Sequence, residues 1–148
     1  MNREIKFRAW DNRDKKFVAT GFGVIGEVTM FGVIDEYCFE TKSKDQTTLD
    51  RLGDIEIEQL TGLKDKNGVD IYEGDIVSIH VEIDDPERPV DVEFIGTVKI
   101  LPSIGACIKK STIRDFGRDT VRVGYGYKHI VGNRSTIIGN VHQNPEML

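Results

Sequence analysis

The feature that most constrains the fold is the stretch of residues 59–83, in which two turn signals separate segments of β-type alternation. Residues 66–68, Lys-Asn-Gly, predict a type I′ hairpin turn, because Asn and Gly tolerate the positive φ angles that this turn requires. Residues 73–75 predict a second turn. Residues 76–83 then alternate and predict a strand with one face toward a core. The inward positions are Val77, Ile79, Val81 and Ile83, and the outward positions are Ser78, His80 and Glu82.

The other strand signals are short and are separated by glycine or turn residues. Residues 4–20 predict a hairpin that turns at residues 11–14, and residues 90–100 predict a long strand that bends at Gly96. Residues 109–119 fit either a short helix or a long hairpin loop. The remaining predictions are strands at 21–40, 106–108, 121–127 and 136–141, a loop at 43–53 and one helical turn at 144–146. The predicted fold class is mostly β, a small barrel or a sandwich of many short antiparallel strands with little helix.

Size and composition limit the organisation of the chain. A chain of 148 residues has the size of one domain, and we expect a single β-rich domain over residues 1–148. A division into an N-terminal lobe of residues 1–58 and a barrel-like C-terminal lobe of residues 59–148 stays open. No apolar run approaches the roughly 20 residues that cross a bilayer, and charges interrupt the first ten residues. We therefore expect a cytoplasmic protein without a membrane partner.

The sequence contains no motif that carries chemistry. The two cysteines, Cys38 and Cys107, lie far apart between apolar neighbours, so we expect two reduced, buried thiols. The glycines at 21, 23 and 26 have the spacing of a dinucleotide fingerprint but lack the helix that would bind the pyrophosphate. The sequence therefore predicts no catalytic residue, no cofactor and no metal. A metal-dependent hydrolase that uses Asp70, Glu73 and Asp75 stays open as a minor alternative.

Charge is distributed unevenly along the chain, although the net charge is only −5. Residues 1–20 carry six Lys and Arg against three acids, and residues 97–148 carry eight against three. Residues 21–96 carry six against nineteen. Basic ends and an acidic middle would attract each other between subunits, or the basic ends would bind a polyanion. The candidate surface consists of Lys109, Lys110, Arg114, Arg118, Arg122 and Lys128.

Four short segments resemble one known family. They are IKFRAWD at residues 5–11, TGLKDKNG at 61–68, IYEGDIV at 71–77, and IGN with NPEML at 138–140 and 144–148. These residues are similar to the YopX family of phage and prophage proteins, with Leu60 standing where an aromatic residue often precedes Thr-Gly-Leu. The resemblance implies an intracellular, β-rich protein of a phage or prophage, in the cytoplasm of the bacterial host. It supplies no catalytic residues.

Two functions follow as hypotheses from these observations. The first is a phage or prophage accessory protein that is not an enzyme, a β module that forms homo-oligomers or binds another protein. The second is a small-barrel protein that binds nucleic acid with its basic N- and C-terminal segments.

Overall fold

The computed structural model describes residues 6–23, 55–130 and 134–147. Within them the chain is mostly β, as the sequence predicts. It divides into two compact units, Met1–Leu60 and Thr61–Leu148. The predictions for residues 24–40 and 43–53, and that for Cys38, lie outside the described residues. No helix among the described residues is long and apolar enough to cross a lipid bilayer.

The first unit contains the predicted N-terminal hairpin. Strands β1 (Lys6–Asp11) and β2 (Lys16–Gly23) pair antiparallel, and the first residues of β3 (Ile55–Lys64) pair with the other side of β1. Asp11 closes the hairpin turn, since its backbone oxygen accepts a hydrogen bond from the Lys15 amide at 2.8 Å. Its side chain also accepts one from the Arg13 amide at 2.7 Å.

Two large side chains of β1, those of Arg8 and Trp10, are buried. The Arg8 Nε donates to Glu58 Oε2 on β3 at 2.6 Å, and both side chains are nearly buried. Trp10 is buried and packs edge-on against Phe17, with 4.9 Å between the ring centroids. Arg8 is therefore not part of a free basic surface at the N-terminus, and Trp10 is a packing residue and not an exposed stacking ring.

The second unit is built on one curled sheet that forms a half-barrel. The strand order is β10-β5-β6-β7-β8, and β9 pairs with the other end of β7. The end of β3 is hydrogen-bonded to the short strand β4. A single 3-10 turn, Pro145–Met147, follows β10 where the sequence predicts a helical turn. The bounds are β4 Asp70–Tyr72, β5 Asp75–Ile83, β6 Val90–Leu101, β7 Gly105–Asp115, β8 Thr120–Gly124, β9 Lys128–His129 and β10 Ser135–Asn140.

The inner face of this sheet carries the core of the second unit. Val77 and Ile79 are buried as predicted, and Val81 is half-buried. Ile83 is 51% exposed, so its predicted burial is wrong. The reason is its place in the sheet: it pairs with Val90 beyond the last pair of β6 and β7, where none of the described strands covers it. The buried core residues are Ile71, Val77, Ile79, Val98, Ile108 and Ile130.

Residues 109–119 form neither the helix nor the long loop that the sequence allowed. Strand β7 continues to Asp115, and only residues 116–119 turn. Gly96 pairs with Ser111, and Val98 pairs with Ile108, so β7 has one extra residue opposite Thr97. This β-bulge at residues 109–110 shifts the alternation of inward and outward side chains by one residue, so the sequence of β7 does not show the period-2 pattern of a strand.

The hairpin turn of residues 65–69 is confirmed, but its predicted type is wrong. The Gly68 amide donates to the Asp65 oxygen at 3.0 Å, and the Asp65 amide donates to the Val69 oxygen at 2.8 Å. Gly68 has a φ of +79°, whereas Asn67 is not among the residues with positive φ. A type I′ turn requires positive φ at both residues. In this turn Gly68 has the left-handed conformation and Asn67 does not, so the turn is not of type I′.

Candidate functional site

The buried carboxylate of Asp65 organises the central hairpin. Its Oδ1 accepts hydrogen bonds from the Asn67 and Val69 amides at 2.8 and 3.0 Å, and its Oδ2 accepts one from the Ile137 amide at 3.2 Å. Burial on its own would raise the pKa of this carboxyl, but these three amides and the Lys66 charge together lower the pKa below its ordinary value. Asp65 therefore ties the turn to β10.

The three acids of the metal alternative also have structural contacts. Asp70 pairs with Lys64 Nζ at 2.7 Å, and Glu73 Oε1 accepts a backbone amide of β6 at 3.3 Å. Asp75 is buried, and its Oδ2 accepts a hydrogen bond from the Tyr72 amide at 2.9 Å. No group of three or more His, Cys, Asp or Glu among the described residues is arranged to bind a metal ion.

The structure divides the six predicted basic residues between the two faces of the sheet. Arg122 lies opposite Ile113, and Lys128 lies opposite Ile108 with its Nζ 4.5 Å from the centre of the Phe94 ring. Because opposite residues of paired strands point to the same face, Arg122 and Lys128 belong to the inner face that carries the core.

The other four basic residues belong to the outer face or to the β7–β8 turn. Lys109 and Lys110 border a cavity of about 540 Å³ with residues of β6 and β7. Arg114 Nη1 lies 3.5 Å from Glu93 Oε2, and Arg118 Nε lies 3.9 Å from a carboxylate three residues earlier. The six residues therefore do not form one continuous basic surface.

A row of polar side chains crosses β5, β6 and β7 on the outer face. His80 lies opposite Glu93, which lies opposite Arg114. The His80 Nε2 is 2.6 Å from Asp91 Oδ1, and the Ser78 hydroxyl donates to Glu93 Oε1 at 2.6 Å. Both carboxylates in this row thus have a hydrogen-bonding or cationic partner.

Ser78, His80 and Glu93 of this row form the floor of a cleft with a volume of about 450 Å³. Two cations at its rim, Lys66 and Arg134, take part in no ion pair and in no side-chain hydrogen bond with any residue that the structure describes. We name it the outer-face cleft. Its lining residues are Lys66, Ser78, His80, Glu93, Phe116, Arg134 and Thr136.

A second feature of the surface lies on β8, at the edge of the sheet. Val121 and Val123 are 68% and 48% exposed and share the outer face, since Val123 lies opposite Thr112 and Val121 lies opposite Arg114. Tyr125, just after the strand, is 80% exposed. Such a row of apolar side chains on an edge strand is uncommon in a monomeric protein.

Part of this arrangement was accessible to sequence reasoning. Alternation places Ser78 and His80 on one face of β5, and Asp91 and Glu93 on one face of β6. If β5 and β6 form a hairpin whose loop is residues 84–89, His80 lies opposite Glu93. This pairing needs the position of the loop, because alternation alone does not give the register of two strands. Lys66 and Arg134 come from a distant turn and strand, and no local signal joins them.

Cys107 has the buried position that the sequence predicts. It lies on β7 and is fully buried, and burial raises the pKa of its thiol. Because the thiolate is the reactive form, this side chain is suited to packing and not to nucleophilic chemistry.

Comparison with known proteins identifies the family. A family model described as YopX protein matches residues 6–148. The crystal structure of protein EF1440 from Enterococcus faecalis is similar over 99% of this chain and 99% of that chain, with 20% identity and a TM-score of 0.48. No functionally curated protein matches the sequence. The match over residues 6–148 confirms the resemblance of the four short segments, and the chain belongs to the YopX family.

Proposed function

We propose that this chain is a phage or prophage accessory protein of the bacterial cytoplasm, a β module that is not an enzyme and that self-associates through the edge of β8. The observation that supports this function is the exposed apolar row of Val121, Val123 and Tyr125. Among the described residues no strand pairs with the outer side of β8. Open strand edges with apolar side chains bind a further strand through main-chain hydrogen bonds.

The composition of β8 favours a second copy of the same strand as the partner. In an antiparallel pair with Val123 opposite its own copy, Arg122 lies opposite Gly124, and Val121 lies opposite Tyr125. No like charges meet in this register, and the apolar side chains of both copies share one face. The register that places Arg122 opposite itself would bring two guanidinium groups together and is disfavoured.

A substitution in β8 tests this interface. Val123→Lys is expected to weaken self-association at least tenfold, because the pairing would have to desolvate two lysine charges beside the strand edge. Sedimentation equilibrium over a wide range of concentrations measures the association constant. Ile83→Lys is the matched control, since Ile83 is 51% exposed and Val123 is 48% exposed, but Ile83 lies away from β8. A chain that is monomeric at all concentrations, or equal association of both variants, would contradict the proposal.

Binding of single-stranded nucleic acid is a second candidate, supported by one contact. Lys110 Nζ lies 6.0 Å from the centre of the exposed Tyr125 ring, and exposed aromatic rings beside cations stack on unpaired bases. Labelled single-stranded DNA or RNA at about 50 mM salt is then expected to bind, with Tyr125→Ala lowering the affinity about tenfold. Fluorescence anisotropy measures this, and absence of binding at that salt concentration excludes the candidate.

A further inference from the structure

We propose that the outer-face cleft binds a nucleotide, with its phosphate group between Lys66 and Arg134 and its base against Phe116. This site lies within the second unit and is separate from the edge of β8. It does not depend on self-association, so either proposal can fail while the other holds.

The backbone holds the two cations of the cleft next to each other. The Lys66 amide donates to the Ser135 oxygen at 2.9 Å, which ties the central turn to the residue after Arg134. Asp65, beside Lys66, accepts the Ile137 amide of the same strand at 3.2 Å. Both hydrogen bonds join the turn to the start of β10, directly after Arg134. Lys66 and Arg134 therefore lie at the junction of these two segments and line the same cleft.

The floor of the cleft is compatible with an anion despite its acids. Glu93 accepts the Ser78 hydroxyl at 2.6 Å and lies 3.5 Å from Arg114. Asp91 Oδ1 lies 2.6 Å from His80 Nε2, within hydrogen-bond distance. Each carboxylate thus has a hydrogen-bonding or ion-pair partner inside the row, whereas Lys66 and Arg134 have no ion-pair partner among the described residues.

A hydroxyl group adds a donor beside the cations. Thr136 lies opposite Ser78 in the β5–β10 pair, and both side chains line the cleft. The Ser78 hydroxyl donates to Glu93, so the Thr136 hydroxyl is the donor that we assign to the phosphate. Phosphate oxygens accept hydrogen bonds from hydroxyl and cationic donors together, and charge-assisted bonds of this kind are the strong ones.

The far side of the cleft offers an aromatic surface. Phe116 is 53% exposed, and its amide donates to the Asp91 oxygen at 2.9 Å, which fixes the start of the β7–β8 turn. The His80 ring meets the Phe116 ring nearly perpendicular, at 87° and 6.0 Å between centroids. The contact with His80 supports the phenyl ring while the Phe116 side chain stays exposed, an arrangement that suits stacking of a planar base.

The combination of a cationic side and an aromatic side selects a nucleotide over simpler anions. A cleft of about 450 Å³ falls within the roughly 300–1,000 Å³ range of small-molecule sites. Inorganic phosphate would use only the Lys66–Arg134 side, and a nucleoside would use only Phe116. A nucleoside monophosphate would use both and is expected to bind more tightly than either part.

Isothermal titration calorimetry with adenosine 5′-monophosphate, adenosine and inorganic phosphate tests this inference. The monophosphate is expected to bind, and adenosine and phosphate are each expected to bind at least tenfold more weakly. Failure of the monophosphate to bind at millimolar concentration, or adenosine that binds equally well, would overturn the inference. Displacement of the monophosphate by a short single-stranded RNA would support the site and would show that the cleft also accepts a nucleotide within a polymer.

Variants of exposed residues locate the binding without disturbing the fold. Lys66→Ala and Arg134→Ala are each expected to lower the affinity for the monophosphate at least tenfold, and Phe116→Ala to lower it about fivefold. Lys99→Ala is the matched control, since Lys99 is an exposed lysine of β6 that does not line the cleft. Equal losses in Lys99→Ala and Lys66→Ala would show unspecific charge attraction and refute the site. Val123→Lys is expected to bind as the unchanged protein does.

Discussion

Replacement of Asp65 by alanine is expected to lower the free energy of unfolding by about 3 kcal/mol. The side chain is only 6% exposed, and it accepts three backbone amides at 2.8, 3.0 and 3.2 Å. Two of these amides belong to its own turn, and the third belongs to β10. Their donors would lose a charged acceptor, which is worth more than a neutral one. Urea unfolding, followed by circular dichroism, measures the change.

An exposed acid of the same hairpin provides the control. Asp70 pairs with Lys64 at 2.7 Å, but both side chains are well exposed. Exposed ion pairs contribute about 0–1 kcal/mol, so Asp70→Ala is expected to have a small effect. If Asp65→Ala and Asp70→Ala cost the same, Asp65 does not have the organising role described above.

The stabilising effect of Asp65 should also depend on pH. The pKa of this carboxyl is lowered in the folded chain, so the ionised form stabilises the fold. The contribution is complete above the unfolded-state pKa of about 4, and it is lost as the pH falls through the lower folded-state value. The difference in unfolding free energy between the unchanged chain and Asp65→Asn should therefore shrink in acid. A difference that stays constant from pH 7 to about pH 3 would contradict this assignment.

The residues of the central run that carry the family resemblance have structural explanations. Asp65 and Asp75 accept backbone amides in turns, and Gly62, Gly68 and Gly74 have φ angles of +82°, +79° and +87°. These conformations strain any residue with a side chain. These residues therefore specify the hairpin geometry, whereas Lys66 of the same run lines the outer-face cleft that we propose as a binding site.

Sequence reasoning succeeded where a strand alternates without interruption and failed where a bulge shifts its register. Val77 and Ile79 identify β5, because period-2 alternation of burial holds from Val77 to Val81, although Ile76 beside them is buried as well. On β7 the apolar residues Ile108 and Ile113 are five apart, an odd spacing that predicts opposite faces, yet the bulge returns both to the inner face. A local pattern cannot reveal this, since the bulge depends on the partner strand β6.

The candidate site was less accessible than the fold. The register of the β5–β6 hairpin follows from its loop, and it places His80 opposite Glu93. The position of β10 beside β5 is set by packing of the whole second unit and not by any short segment. Arg134 and Thr136 reach the cleft only through this long-range pairing, so no local pattern could assign them to the same site as His80.

Replacement of Gly96 by alanine is expected to lower the free energy of unfolding by about 3 kcal/mol. A Cβ at this position would collide with the Ile108 Cγ2 and would lie 2.6 Å from the Lys110 backbone oxygen. The Ile108 side chain could rotate away, but the Lys110 oxygen belongs to the bulge of β7 and cannot move without breaking strand pairing. The β6–β7 pair forms the centre of the sheet, so the strain would affect the whole second unit.

Gly126→Ala is the control for Gly96→Ala, because it also replaces a glycine but creates no collision. A Cβ on Gly126 would meet no atom within 4 Å, and the φ angle of Gly126 is not in the left-handed region. Gly126→Ala is therefore expected to change stability by less than about 0.5 kcal/mol. Urea unfolding of the two variants provides the comparison, and a Gly96→Ala variant as stable as Gly126→Ala would show that β6 and β7 do not approach as closely as described. A large loss in Gly96→Ala and not in Gly126→Ala would show that β6 passes the bulge of β7 because residue 96 has no side chain, since the added carbon meets backbone at Gly96 and no atom at Gly126.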